Sequence, residues 1–267
     1  MDSWILLKAA SSTAPTDCGD HCLSFWNLPV SEDAASSSVR VGPLRIALVG
    51  NPNTGKTTLF NRLSGLRHKT SNFPGTTLEA RIGRLRAEGG EASAASEIEL
   101  IDLPGIYSLE LDQAEAAICR AVLAGESAPR GNGVDAPDAV CVVLDATNLG
   151  RNLMLAGEVL RRRLPMVVVV NMIDLARKKG LSIDRAKLSE MLGCSVVLLS
   201  ARTGEGLDEV RSAIAGAQVA ARTPPGDDAG LRAWADEVYA AAGELNDPAA
   251  DRDTFTDRLD RVVTHPV

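Results

Sequence analysis

Aromatic residues are scarce: Phe, Trp and Tyr together make up 3% of the 267 residues. Any core must therefore be aliphatic, and 45% hydrophobic residues supply enough for one large domain or two modest ones. Long apolar runs are missing as well. The longest, Leu164 to Val170, falls far short of the roughly 20 residues that cross a bilayer as a helix. Trp4 to Ala10 is too short for a secretory leader, so a soluble chain is expected. There is no surplus of basic charge. The formal net charge is -7, which argues against nucleic acid as a partner, because a phosphate-binding face is basic. The cysteines are few and odd in number, and Cys119, Cys141 and Cys194 sit in apolar runs. They read as buried thiols of a reducing compartment. Residues 1–42 are rich in Ser, Ala, Asp and Pro without a sustained period, and read as a disordered extension. Within them, Cys18, His21 and Cys22 offer metal-type ligands, but no second cluster closes a tetrahedral shell.

From Leu44 the pattern changes. Leu44 to Val49, Ile98 to Ile101, Ala139 to Leu144, Met166 to Val170 and Ser195 to Leu199 are short aliphatic runs that read as buried strands. Helical patterns lie between them, over Lys56 to Leu63 and near 113–123, 148–162, 184–192 and 206–217. This alternation predicts an α/β fold, a mainly parallel sheet with helices on both faces. Ala80 to Leu85 adds an edge strand, joined by a Gly89-Gly90 turn to the strand that ends at Ile101. Thr223-Pro224-Pro225-Gly226 breaks the pattern. Beyond it, Leu231, Trp234 and Val238 share one helical face, as do Phe255, Leu259 and Val262, so a small helical appendage without strands is expected. The division is an extension at 1–42, an α/β domain at 43–222 and a helical domain at 223–267.

In such sheets the chemistry sits in loops after the carboxyl ends of strands. Gly50-Asn51-Pro52-Asn53-Thr54-Gly55-Lys56-Thr57 follows the first strand and opens a helix. That is the context in which G-x-x-x-x-G-K-[ST] cradles a triphosphate on backbone N–H groups. Lys56 reaches the outer phosphates, the Thr57 hydroxyl is a Mg²⁺ ligand, and Thr58 lies at the rim of the phosphate site. Asp102-Leu103-Pro104-Gly105 follows the second aliphatic strand, where Asp102 holds Mg²⁺ directly or through water and the Gly105 N–H senses the γ-phosphate. Between them, Asn72-Phe73-Pro74-Gly75-Thr76-Thr77 has the composition of a mobile loop. Thr77 is expected to close over Mg²⁺, with Thr76 as the competing candidate.

The base is read further on. Asn171-Met172-Ile173-Asp174 follows the fourth aliphatic strand. Asp174 accepts from the N1–H and exocyclic amine of guanine, a donor pair that adenine lacks, and an unpaired buried carboxylate rejects the wrong base. Asn171 contacts the base and ties neighbouring loops together. Ser200-Ala201-Arg202 follows the last strand, with the Ala201 N–H directed to guanine O6. Asp174 argues for GTP over ATP. Ile106 stands where many regulatory GTPases carry a water-orienting Gln, so intrinsic hydrolysis should be slow or assisted. The Asn53 carbonyl could help bind a monovalent cation beside the phosphates, or Asn53 could only shape the loop.

With these residues in hand, the chain resembles the ferrous iron transport protein B family. Residues Gly50 to Asn61 are similar to its phosphate loop, Asn72 to Glu79 to its first switch with Thr77 at the Mg²⁺-ligand position, and Asp102 to Leu109 to its second switch, including Tyr107-Ser108. Asp145 to Leu149 and Arg151-Asn152-Leu153 are also similar. The resemblance covers about residues 44–267. It implies a Ras-like P-loop GTPase that binds GTP and GDP with Mg²⁺ and uses K⁺ through Asn53. It implies a helical domain that slows GDP release, and a transmembrane permease for Fe²⁺ in the same polypeptide at the bacterial inner membrane. Small accessory proteins of iron uptake and a second copy of the chain are further partners it allows. On this reading the chain is a soluble fragment ending just before a membrane region. The extension at 1–42 has no counterpart in the family pattern, and Ala124 to Ala136 is longer than usual.

Two other readings share the nucleotide elements. An RNA-associated, ribosome-assembly GTPase would carry a basic appendage, whereas this C-terminal region is acidic to neutral. A GTP-sensing module with negligible turnover is suggested by Ile106.

Overall fold

The computed structural model describes residues 43–65, 68–73, 79–86, 97–127 and 136–245. Its centre is a sheet in which β1 (Leu44–Gly50), β4 (Glu97–Asp102), β5 (Ala139–Asp145), β6 (Pro165–Asn171) and β8 (Ser195–Leu198) run parallel. With β2 (His68–Asn72) and β3 (Glu79–Arg86), the order is β2-β3-β4-β1-β5-β6-β8, and the two-residue β9 (Gln218–Val219) pairs antiparallel with the start of β6. The order reverses beside β1, whose neighbours are β4 and β5, and in open α/β sheets such a reversal makes a crevice at the carboxyl ends of the strands.

The strands read as unbroken aliphatic runs because both faces are covered. On one face Ala47, Val49, Val142, Leu144, Val168 and Val170 pack under α2 (Ala114–Leu123), α3 (Leu149–Leu160), α4 (Ile173–Lys178) and α5 (Arg185–Leu192). On the other, Ile46, Leu48, Cys141, Val143, Val167 and Val169 pack under α1 (Lys56–Ser64) and α6 (Leu207–Ala215). The aliphatic core expected from the aromatic shortage is what is found: most of its members are Val, Leu, Ile and Ala.

The principal strands and helices lie where their periodicity places them, to within a residue or two at each end. The departures are instructive. Ala80 to Leu85 lies within β3, which does pair antiparallel with β4, but β3 is not the edge. The edge is β2, whose sequence His-Lys-Thr-Ser-Asn carries no apolar alternation to announce it. Gly89-Gly90 lies outside the described residues. So do the extension at 1–42, with Cys18, His21 and Cys22, and the Phe255, Leu259 and Val262 face.

The region after 223 is also richer than expected. Helix α7 (Asp228–Ala242) forms, with the Asp227 carboxylate capping it by accepting from the Gly230 N–H at 2.9 Å. Its buried residues Ala235, Val238 and Ala242 join the same core as α3 and α5. It comes close because α3 offers Gly157, where an added Cβ would lie 2.5 Å from Leu231 Cδ1 and 2.7 Å from Trp234 Cζ3. A strand follows the helix, contrary to the expectation of a purely helical region. β10 (Gly243–Leu245) pairs antiparallel with β7 (Leu181–Ile183). Runs this short carry no readable period. Among the described residues no helix is long and apolar enough to cross a membrane.

Candidate functional site

The crevice beside β1 gathers the predicted residues. The loop Gly50 to Gly55 leaves β1 and turns into α1 at Gly55, which has φ +80°. A side chain there would be both strained and blocked, since its Cβ would run into the Asn171 amide. At Gly50 an added Cβ would lie 2.6 Å from the Val143 carbonyl oxygen of β5, so the loop can begin flush against the sheet only with glycine. Thr54 is buried and its hydroxyl donates to the Asn51 carbonyl at 3.0 Å, closing the loop on itself. Asn53 adopts φ +64°, a left-handed conformation that Asn tolerates, and its side chain is exposed at the loop rim beside Pro52. Thr58 is exposed on α1, one residue past half-buried Thr57.

At the bottom of the crevice Lys56 forms an ion pair with Asp102, both nearly buried. The Thr57 hydroxyl donates to the other carboxylate oxygen at 3.2 Å. The ends of β1 and β4 thus bring a cation, a hydroxyl and a carboxylate to one point. Asp102 opens the turn through Leu103, Pro104 and Gly105. Backbone bonds from Leu103 N–H to Leu48 O and from Ile106 N–H to Gly50 O, both 3.2 Å, lay this turn against the phosphate loop. Gly105 permits the approach, because a Cβ there would lie 3.1 Å from Pro52 Cα. Ile106 is 1% exposed and belongs to the core, so it presents nothing to the crevice. Beneath the turn, burial pushes the Cys119 thiol up to about 12, leaving it neutral and inert. Gly75, Thr76 and Thr77 lie outside the described residues.

The second half of the site is built on β6 and β8. Asn171 is 2% exposed and links the two halves. Its Nδ2 donates to the Thr54 carbonyl at 2.9 Å, and its Oδ1 accepts from the Ala201 N–H at 2.9 Å. The tying role expected of Asn171 is therefore formed. The Ala201 N–H, assigned from sequence to guanine O6, is engaged in this brace, so O6 would share a donor that already holds the loop. Met172 takes φ +65° and caps α4, which carries Asp174. The Asp174 carboxylate accepts from Ser200 Oγ at 2.8 Å and from Arg202 Nη2 at 2.6 Å. The Ser200 hydroxyl, then the Arg202 guanidinium, hold its pKa below the ordinary carboxylate value. Arg202 is itself exposed; its carbonyl accepts from Arg62 Nη2 at 2.6 Å, joining the Ser200–Arg202 loop to α1. A two-pronged pair from Arg177 to Glu205, 2.8 Å on each prong, closes the outside of the loop.

Three features have roles that the motifs do not spell out. Asp145 and Asn152 form a brace at the end of β5: the Asp145 N–H donates to Asn152 Oδ1 at 3.2 Å, and Asn152 Nδ2 donates to the Asn148 carbonyl at 2.7 Å. Asn51 is buried with neither side-chain polar atom hydrogen-bonded. Glu158 of α3 is 7% exposed and accepts from Ser108 and Leu109 just beyond the Asp102–Gly105 turn. Burial holds its pKa above the ordinary 4.5 despite those donors. The available signal was the single acidic residue of α3.

Residues 44–214 match the family model described as ferrous iron transport protein B. The chain belongs to this family. The Fe(2+) transporter FeoB of Salmonella choleraesuis (strain SC-B67) is 36% identical over 212 residues, which are 78% of this chain and 25% of the relative. That of Salmonella typhimurium (strain LT2) is 39% identical over 176 residues, 64% of this chain and 21% of the relative. The chain thus spans about a quarter of the length of the curated relatives it matches. Among solved structures, the cytosolic domain of the T. maritima FeoB iron transporter in its apo form is 35% identical, with a TM-score of 0.60 over 70% of this chain and 69% of that one. Its GDP form I gives a TM-score of 0.65 at 25% identity, covering 77% of this chain and all of that one. A P-loop GTPase fold with a mostly parallel sheet is common to the family members and this chain.

Proposed function

We propose that residues 43–222 bind GTP and GDP with Mg²⁺ and hydrolyse GTP slowly, and that they regulate a ferrous iron transporter. The observation that carries this reading is the meeting of two residue sets in one crevice. Lys56, Thr57 and Asp102 stand at the ends of β1 and β4, and Asp174, Ser200 and Ala201 at the ends of β6 and β8. Relatives crystallised in GDP and GMPPNP forms support it.

Backbone N–H groups of Gly50 to Lys56 would surround the phosphates, and Lys56 would exchange Asp102 for phosphate oxygens. The Thr57 hydroxyl and the Asp102 carboxylate are hard oxygen donors that suit Mg²⁺, with Thr77, or Thr76 in its place, completing the set. When bound, Mg²⁺ neutralises charge on the β- and γ-phosphates. The Gly105 N–H would meet the γ-phosphate. Buried Ile106 cannot orient the attacking water, so turnover depends on positioning, and K⁺ held by Asn53 would supply positive charge beside the phosphates. Residues 223–267 would begin a helical domain that slows GDP release. It would lead to the transmembrane permease for Fe²⁺ in the same polypeptide, with the domain on the cytoplasmic face of the inner membrane. Accessory iron-uptake proteins and a second copy would be partners.

Equilibrium binding of fluorescent GDP, GTP and ATP, and competition by xanthosine nucleotides, test the reading. Wild type should prefer guanine. Asp174→Asn should lose that preference and gain for xanthine, which carries an oxygen where guanine has its amine, so that an amide can donate to it. No affinity of wild type for guanine nucleotides in millimolar Mg²⁺ would overturn the proposal. For hydrolysis, wild type should turn over faster in K⁺ than in Na⁺, and Asn53→Ala should abolish the difference. Equal rates in all combinations would remove K⁺. Turnover no faster than in protein-free buffer would leave a GTP-sensing module.

A further inference from the structure

We propose that Glu158 of α3 is a positioning residue for GTP hydrolysis, gripping the backbone just downstream of the Asp102–Gly105 turn. The inference deepens the nucleotide reading above and rests on it.

The turn is anchored upstream to β1 through Leu103 N–H to Leu48 O and Ile106 N–H to Gly50 O. Those bonds set its distance from the phosphate loop. Downstream, the chain passes over α3. There Glu158 Oε1 accepts from Ser108 Oγ at 2.7 Å, and Oε2 accepts from the Leu109 N–H at 2.5 Å. Ser108 Oγ accepts in turn from the Glu110 N–H at 3.0 Å, and Arg120 donates to the Leu109 and Leu111 carbonyls. Between the β1 bonds and the Glu158 bonds lies Tyr107, the residue that hinges the turn to the grip. Its ring is exposed and stacked under Arg151, 4.7 Å from its centroid. Glu158 therefore fixes where the turn can go. Removing it leaves Tyr107 to Leu109 held by the buried Ile106 and Leu109 side chains and by Arg120, and displacements of about 1 Å in such a turn are costly to phosphoryl transfer.

Geometry also specifies what can replace it. The grip needs one acceptor for the Leu109 N–H and one group able to pair with a hydroxyl. Glutamine meets both needs: its carbonyl accepts from Leu109 and its amide donates to Ser108 Oγ. Leucine fills the space and meets neither. A glutamate that only filled the core would be served as well by leucine.

The test uses the full chain. Amide exchange at Leu109, single-turnover GTP hydrolysis and GDP affinity are measured for wild type, Glu158→Gln, Glu158→Leu and Ser108→Ala. Glu158→Leu should lose protection at Leu109 and hydrolyse GTP about tenfold more slowly, with GDP affinity within about twofold of wild type, since no phosphate or base contact is touched. Glu158→Gln should restore both exchange and rate. Ser108→Ala, which removes one of the two donors to Glu158 and keeps the Leu109 bond, is the milder change and should fall between. A Glu158→Leu variant that keeps wild-type turnover overturns the proposal. So does a folded Glu158→Gln variant as slow as Glu158→Leu, or a Ser108→Ala variant with wild-type exchange and rate. Exchange at Leu109 needs no nucleotide, so a failure of guanine binding in wild type would strike the parent reading while this contact is read independently.

Discussion

Asn171 commits both ends of one amide to loops 117 and 30 residues away, the Thr54 carbonyl and the Ala201 N–H. All three residues are buried, so neither partner has water as a substitute. Asn171→Ala strands both, and we expect a loss of about 2 to 5 kcal/mol in urea-denaturation stability. GDP affinity should fall with it, because the phosphate loop and the base loop lose their common pin. A fully stable variant would show that the brace is incidental. At this scale much of the site was legible. Asn171, Asp174, Lys56, Thr57 and Asp102 stand in short patterns after strand ends, and the fold brings them to the same end of the sheet. The roles of Glu158 and of the Asn51 side chain were not, because the interest of each lies in burial without sufficient or complete pairing, and burial is a property of the fold. The same reason hid the engagement of the Ala201 N–H by a side chain from another strand.

Elements were legible in proportion to their apolar periodicity. β1, β5 and β6 are aliphatic on both faces and announce themselves, whereas β2 is entirely polar and is held by its ladder to β3. Helix α7 was visible as a face of Leu231, Trp234 and Val238, but not the element that receives it. That element is α3, and the receiving position is Gly157, next to Glu158. Two adjacent residues of α3 thus seat α7, at Gly157, and hold the turn after Asp102, at Glu158. Gly157→Leu should lever α7 off α3 without disturbing the sheet. Hydrogen exchange should rise across 228–242 while β5 and β6 stay protected, since surface elements open separately from core strands. Unchanged protection of α7 would mean that the groove adapts and the glycine is dispensable.

For the whole molecule, the sequence carried the class of fold and the family more readily than the limits of its parts. An alternating chain with few aromatics and an acidic balance could hardly build anything but an aliphatic α/β core. The boundary near 223 is a different matter. Pro224 and Pro225 do break the pattern, yet Ala235, Val238 and Ala242 beyond them share the core of the α/β body. Composition marks where a chain bends, and packing decides whether the segment past the bend belongs to the same body.

The ribbon of β7 and β10 gives that continuity a mechanical meaning. Its antiparallel rungs run from Gly243 opposite Ile183 to Leu245 opposite Leu181, and the Asp184 N–H adds a bond to the Ala242 carbonyl at 2.9 Å. The far rail of the ladder leads straight back into α4, the helix that carries Asp174. Tension applied to the chain at Leu245 would peel these rungs apart one at a time, beginning with the Leu245–Leu181 rung, and that is the end from which β7 runs back to α4 and Asp174.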